Sequence, residues 1–200
     1  MITEKDMSQR LVLASTSPFR KQLLEKLHLQ FDTAKPNVDE TALTNESAIE
    51  LVERLAIAKA QAITPLYDNA LVIGSDQVCV NEGEILGKPG DYEKAFRQLK
   101  AASGKRITFY TGLALINTQT GKIQSLVEPF HVQFRILSDK MISNYLNKEQ
   151  PYNCAGSFKS EGYGIALFDA LEGKDPNSLI GLPLISLIKM LEQENFPVIG

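Results

Sequence analysis

The stretch from Leu71 to Gly90 constrains this chain more than any other. Leu71-Val72-Ile73 is a β-branched apolar run that reads as a buried strand, and it continues through Gly74 and Ser75 into a carboxylate and an amide, Asp76 and Gln77. That polar pair has no obvious core role. A second apolar run, Val78-Cys79-Val80, turns through Asn81-Glu82-Gly83-Glu84 and returns toward Gly87-Lys88-Pro89, the pattern of a hairpin that can set an acid and a cation over one cleft. The plainer reading of the same residues is an Asp76 that caps a turn and a Lys88 that is an ordinary surface lysine. The P-loop pattern is excluded, because it needs four residues between its glycines and a Ser or Thr after the lysine. Here three residues separate Gly83 from Gly87, and Pro89 follows Lys88.

A chain of 200 residues with 44% hydrophobic content can bury a sizeable core and is expected to be one folding unit, either one domain or one two-lobed domain over 1–200. Residues 1–9 are expected to be a flexible N-terminal extension. Twenty-one basic residues against twenty-four acidic ones leave a net charge of -3, so no global basic field exists to hold a nucleic-acid polymer. The two cysteines, Cys79 and Cys154, match no zinc or redox spacing, and Met1-Ile2-Thr3-Glu4-Lys5-Asp6 lacks a signal peptide's apolar core. No apolar run reaches the roughly 20 residues needed to span a bilayer. The expectation is a reduced, cytoplasmic protein with no membrane partner.

Along the chain, Arg10 to Ala14 reads as a short strand that ends in Ser15-Thr16-Ser17-Pro18-Phe19-Arg20. Ser17 before Pro18 is a helix start, a hydroxyl N-cap followed by a proline where no N–H is needed. Free N–H groups, the positive end of the helix dipole and the Arg20 guanidinium together suit a phosphate; a well-capped helix with a surface arginine is the plainer alternative. Phe19 either packs into the core or offers a flat face to a ligand. A strand over Leu29 to Ala34 leads into a polar loop with the acids Asp39 and Glu40. The next helix, from Ser47 to about Ala62, has capping-box spacing between Ser47 and Glu50, and its buried face is read as Ile49, Val52, Leu55 and Ala56. Lys59 lies at the edge of that face, as a snorkelling surface lysine or as a cation for the cleft.

Asp91 caps a further helix to Ser103-Gly104, and Ile107 to Ile116 with Ile123 to Phe134 form a long hairpin. His28 and His131 have no nucleophile or ligand motif beside them and are read as structural, so a Ser-His-Asp hydrolase and a histidine metal site are poorly supported. A helix starts at Ser138 or Asp139. Cys154 to Gly164 is dense in glycine and small residues, which permit close backbone approach, and carries Glu161, otherwise a solvated loop acid. A strand near Ile165 to Phe168, a polar loop from Lys174 to Ser178 and a helix from Pro183 complete the chain. Mixed strands and helices suggest an α/β sheet with helices on its faces. Ser15, Arg20, Glu40, Lys59, Asp76 and Lys88 amount to three cations, two acids beyond them and a hydroxyl. Cations neutralise a polyphosphate and carboxylates hold a hard divalent ion, so the residues alone point to nucleotide or phosphate hydrolysis.

Leu13-Ala14-Ser15-Thr16-Ser17-Pro18-Phe19-Arg20, Val38-Asp39-Glu40, Leu55-Ala56-Ile57-Ala58-Lys59-Ala60, Gly74-Ser75-Asp76-Gln77, Gly87-Lys88-Pro89, Ser103-Gly104 and Gly181-Leu182-Pro183-Leu184 resemble, in order, the motifs of the Maf family of nucleoside triphosphate pyrophosphatases. The resemblance runs from about Arg10 to the last helix. It implies a two-lobed mixed α/β sheet with flanking helices and a central cleft, similar to the inosine triphosphate pyrophosphatases. It further implies cleavage between the α and β phosphates with a divalent metal, magnesium or manganese, and a possible homodimer. Ser75 to Val80 together with Cys154 to Gly162 resembles the branch acting on 7-methyl-GTP. The branch acting on dTTP and UTP carries arginine, threonine and glutamine at the positions of Phe19, Gln77 and Glu161.

By that resemblance Asp76 is the catalytic base or a metal ligand, and Glu40 a metal ligand or an acceptor for metal-bound water. Ser15, Arg20, Lys59 and Lys88 bind the triphosphate, and Phe19, Gln77 and Glu161 select the base. The chemistry is coherent. An aromatic face stacks on the cationic ring of 7-methylguanine, and a carboxylate accepts from the guanine N1–H and N2 amine. The branch often has tryptophan where this chain has Phe19, and the smaller ring stacks less strongly. A dTTP or UTP pyrophosphatase and a non-catalytic nucleotide-binding regulator of septum formation are the alternatives.

Overall fold

The computed structural model describes residues 9–199, so the expected extension over 1–9 lies, apart from Gln9, outside the described residues. In chain order the elements are β1 (Arg10–Ala14), α1 (Pro18–Glu25), β2 (Asp32–Ala34), α2 (Ala48–Gln61), β3 (Ala70–Asn81), β4 (Glu84–Leu86), α3 (Tyr92–Ala102), β5 (Arg106–Asn117), β6 (Ile123–Phe134), α4 (Asp139–Glu149), β7 (Phe168–Gly173), α5 (Pro176–Ile180) and α6 (Leu184–Glu192). The strands form one mixed sheet in the order β2-β1-β3-β5-β6-β7, with β4 paired to β3 off that path. β1 runs parallel to both β2 and β3, whereas β3/β4 and β6/β7 are antiparallel. The mixed α/β sheet with helices expected from the sequence is therefore present.

The chain divides into two compact units, and the three long strands contribute to each. Of the described residues, the first holds those up to Asp76, Thr111–Glu128 and those from Gly181 on. Its core includes Val12, Ala14, Ala60, Ile63, Ala70, Val72 and Ile116, small and β-branched side chains between α2 and the sheet. Two glycines decide how close that helix comes. A Cβ on Gly74 would lie 2.0 Å from the Ala56 carbonyl oxygen, and one on Gly112 would lie 2.1 Å from that of Val52. Helix backbone therefore rests directly on strand backbone, at a separation no side chain permits.

The second unit, Gln77–Tyr110 with Pro129–Ile180, has an aromatic core. Phe109, Phe134, Phe158 and Phe168 meet edge to face with ring centroids 4.8 to 5.5 Å apart, the geometry that ring quadrupoles favour.

Helix starts follow the sequence closely, since an N-cap is a local device: Ser17, Ser47, Asp91 and Ser138 each accept a backbone N–H three residues on, and Ser47 completes a capping box with Glu50. Four expectations need correction. Ile49 is 47% exposed, because it lies in the wet first turn of α2; the buried stripe is Leu51, Leu55, Lys59 beside Val52, Ala56, Ala60. The strand expected over Leu29 to Ala34 shrinks to Asp32–Ala34. Ile165 to Phe168 is not a strand: Tyr163–Leu167 is a 3-10 turn and the strand follows it. Backbone there folds on itself, since a Cβ on Gly164 would lie 2.2 Å from the Lys159 carbonyl oxygen. Lastly, the polar loop through Ser178 contains α5, whose Asp175-Pro176 start is the same cap-then-proline signature as Ser17-Pro18, with Asp175 Oδ1 accepting the Asn177 N–H at 2.8 Å.

Candidate active site

In the first unit, β1 is buried along its last four residues and leads into Ser15, itself buried. The Ser15 hydroxyl oxygen accepts the Ser17 N–H at 3.1 Å, and Ser17 caps α1 by accepting the N–H of Arg20. Arg20 Nε then donates to the Gly181 carbonyl at 2.8 Å, where Gly181 has φ +121 and comes close to the guanidinium. Burial lowers the Arg20 pKa below its ordinary value, and the charges of Asp76 and Glu40 pull it back up. Phe19, on the same first turn, is half-buried.

The centre of this arrangement is Lys59. Its ammonium lies 2.6 Å from Asp76 Oδ1 and 2.7 Å from Glu40 Oε1. Lys59 and Asp76 are almost buried, with side chains 9% and 10% exposed, while Glu40 is 61% exposed on its loop. The close contact of α2 with β3 at Gly74 brings these two side chains together. Lys59 is thus not a snorkelling surface lysine; the 3.6-residue period carries it into the buried stripe of α2, where only a partnered charge is tolerated. Two carboxylates that converge on one ammonium are close enough to share one cation.

Two positioning features were not legible as such. Ser75, fully buried in β3, has its hydroxyl within reach of the Gly112 carbonyl (2.8 Å) and the Gly181 carbonyl (2.9 Å), so its single hydrogen is shared between the β5 backbone and the turn that also receives Arg20. A serine inside an apolar strand run was the available signal. Arg54, on α2, forks onto Glu46 and also donates to the Thr41 carbonyl, while Glu46 accepts the Leu43 N–H, so the loop carrying Glu40 is tied to the helix carrying Lys59. Arg54 in turn holds the Glu46 carboxyl down to about 2.

The second unit carries the other three expected residues. Gln77 Nε2 donates to the Ser178 carbonyl at 2.7 Å and the Leu179 carbonyl at 3.1 Å, so both amide hydrogens hold α5. Lys88 is exposed beyond β4, and Glu161 is exposed with the Ser160 hydroxyl 3.3 Å from its carboxylate. Lys88, Glu161, Lys159 and Glu149 all act electrostatically on the Cys154 thiol, whose pKa burial raises. Cys79 and Cys154 are both free thiols. The His131 Nδ1 lies 3.0 Å from the Thr108 hydroxyl.

Among the described residues no group of three His, Cys, Asp or Glu is placed to hold a metal by itself. Asp76 and Glu40 nonetheless fit magnesium or manganese, which commonly take one or two carboxylates and complete their shell with phosphate oxygens and water.

The fold defines a class of mixed α/β sheet proteins: the structure of the Staphylococcus aureus Ham1 protein is similar to this chain with a TM-score of 0.54 and 15% identity, covering 93% of this chain and 100% of that one. Residues 10–194 match the family described as Maf-like protein, and the chain belongs to the Maf family. Curated relatives include the 7-methyl-GTP pyrophosphatase of Colwellia psychrerythraea, 63% identical over 190 residues and 95% of each chain. The 7-methyl-GTP pyrophosphatase of Aliivibrio fischeri is 58% identical over 193 residues, covering 96% of this chain and 100% of that one.

Proposed function

We propose that this protein hydrolyses 7-methyl-GTP to 7-methyl-GMP and pyrophosphate, clearing a modified nucleotide from the cytoplasmic pool. The observation that carries the reading is the buried Asp76–Lys59 pair with Glu40 converging on the same ammonium, set beside relatives of 58% and 63% identity that are named for this reaction. Ser15, Arg20, Lys59 and Lys88 bind the triphosphate and offset the charge that grows on the leaving pyrophosphate. Asp76 takes the proton of a water whose oxygen attacks the α phosphorus; the bond from that phosphorus to the bridging oxygen breaks, and its electron pair leaves with pyrophosphate. Holding a metal is the other role open to Asp76.

Asp76 and Glu40 would hold a divalent ion, magnesium or manganese. When bound, that ion neutralises phosphate charge and makes water more acidic. Phe19 stacks on the cationic purine, and Glu161 accepts from its N1–H and N2 amine. Gln77 acts through α5, because its two amide hydrogens are already engaged there. No described helix is long and apolar enough to cross a membrane. A homodimer is the expected assembly, read by light scattering on the purified chain.

The test is pyrophosphate release from 7-methyl-GTP, GTP, dTTP, UTP and inosine triphosphate with magnesium or manganese. Preference for 7-methyl-GTP supports the reaction and the account of selection. Preference for a pyrimidine keeps the reaction and removes that account, and binding without turnover leaves the regulator.

A further inference from the structure

Glu149 stands at the wrong end of its helix. It is the last residue of α4, where the exposed carbonyls of the helix repel a carboxylate and favour a cation such as the neighbouring Lys148. An acid in that place needs compensating partners, and it has two. Glu149 Oε2 accepts the backbone N–H of Tyr163 at 3.0 Å, and Oε1 lies 3.3 Å from the Lys159 ammonium. Both partners belong to the short segment that carries Glu161.

That segment is held at a third point. The Lys159 N–H donates to the Tyr145 hydroxyl at 3.1 Å, and the Tyr145 ring stacks on Tyr163 with centroids 6.0 Å apart and planes 28° apart. Burial pushes the Tyr145 phenol up, so it stays neutral at working pH. Glycine at 162 admits the contact: a Cβ there would lie 3.2 Å from both Glu149 carboxylate oxygens. Between these anchors the Glu161 carboxylate points outward, touched by the Ser160 hydroxyl.

We infer that Glu149 and Tyr145 are specificity-determining positioning residues: they fix the 159–163 segment so that Glu161 presents its carboxylate to the nucleotide base, and Glu149 also keeps the Lys159 ammonium off Glu161. Without Glu149, Lys159 is released two residues from Glu161 and competes with the base for the same carboxylate. The inference rests on Glu161 reading the base, as proposed above. It predicts that the damage appears in base selection and in KM, while kcat, set by Asp76 and the phosphate-binding cations, is retained.

The test compares kcat and KM for 7-methyl-GTP and dTTP in the full chain, in Glu149→Ala, Glu149→Gln and Tyr145→Phe, and in Glu149→Ala combined with Glu161→Ala. Glu149→Ala is expected to cut the 7-methyl-GTP over dTTP selectivity about tenfold through KM, as loss of a charged hydrogen bond does. Glu149→Gln, which keeps an acceptor for Tyr163, recovers part of it, and Tyr145→Phe shows a smaller loss. In the Glu161→Ala background, adding Glu149→Ala is expected to change selectivity no further, since one residue acts through the other. Unchanged selectivity in Glu149→Ala and Tyr145→Phe, or an equal drop in both backgrounds, overturns the inference; melting curves identify any variant that fails to fold, and Tyr145→Phe then decides. A parent chain with no preference for 7-methyl-GTP defeats the functional reading itself, which is a separate result.

Discussion

Lys59 Nζ and Asp76 Oδ1 lie 2.6 Å apart with both side chains nearly buried, a helix and a strand joined by one ion pair at the point where their backbones touch. A buried pair of this kind costs desolvation on both sides, so its presence argues for use in chemistry more than for stability. Asp76→Asn keeps an oxygen for Lys59 but removes the base. Turnover is expected to fall by about 10²–10⁴-fold with the melting temperature little changed. Substantial pyrophosphate release from a clean Asp76→Asn preparation would falsify the assignment.

Lys59→Met makes the complementary change. It leaves the Asp76 carboxylate buried beside Gly74 with its cation removed, and breaking a buried pair costs about 3 kcal/mol. Urea denaturation should show that loss together with loss of activity. Retained stability would mean that water reaches Asp76 in the folded state.

The glycine contact under α2 has its own test. Gly112→Ala places a Cβ 2.1 Å from the Val52 carbonyl oxygen, so α2 must move away from β5. A destabilisation of about 1–3 kcal/mol is expected from such overpacking, and activity should fall because Lys59 moves with the helix. A variant of unchanged melting temperature and activity contradicts the close packing.

Glu46 supplies a pH dependence. Arg54 lowers its pKa from 4.5 to about 2, so the folded state binds that proton more weakly than the unfolded chain does. The tie contributes fully above about pH 4.5 and is lost as pH falls toward 2. Melting temperatures of the parent chain and of Glu46→Gln should therefore differ at pH 6 and converge on acidification. A gap that stays constant from pH 6 to pH 2 places the depressed carboxyl elsewhere.

Phe19 tests the stacking account. A larger aromatic face strengthens attraction to a cationic ring, and such contacts are worth roughly 0.5–2 kcal/mol. Phe19→Trp should lower KM for 7-methyl-GTP a few-fold and leave KM for GTP, which lacks the ring charge, nearly unchanged. Equal effects on the two substrates would show that ring charge is not what Phe19 reads.

Features set by neighbours in the chain were determined by the sequence alone. The caps at Ser17, Ser47, Asp91 and Ser138, the long strands β3, β5 and β6, and the ordered motifs that match the Maf family all rest on local hydrogen bonding, side-chain period or residue order. Asp175-Pro176 carried the same local signal and was legible in principle. Only the tertiary structure decided the rest. Lys59 is a buried partner of Asp76, 17 residues away in sequence, because Gly74 and Gly112 let α2 rest on the sheet, a contact that no local pattern encodes. Likewise Gln77 spends its amide on α5, and Ser75 joins Gly112 to Gly181, because strand pairing and chain return bring distant carbonyls beside them. Residue type declares which groups can donate, accept or carry charge; the packed backbone alone determines which partner each one meets.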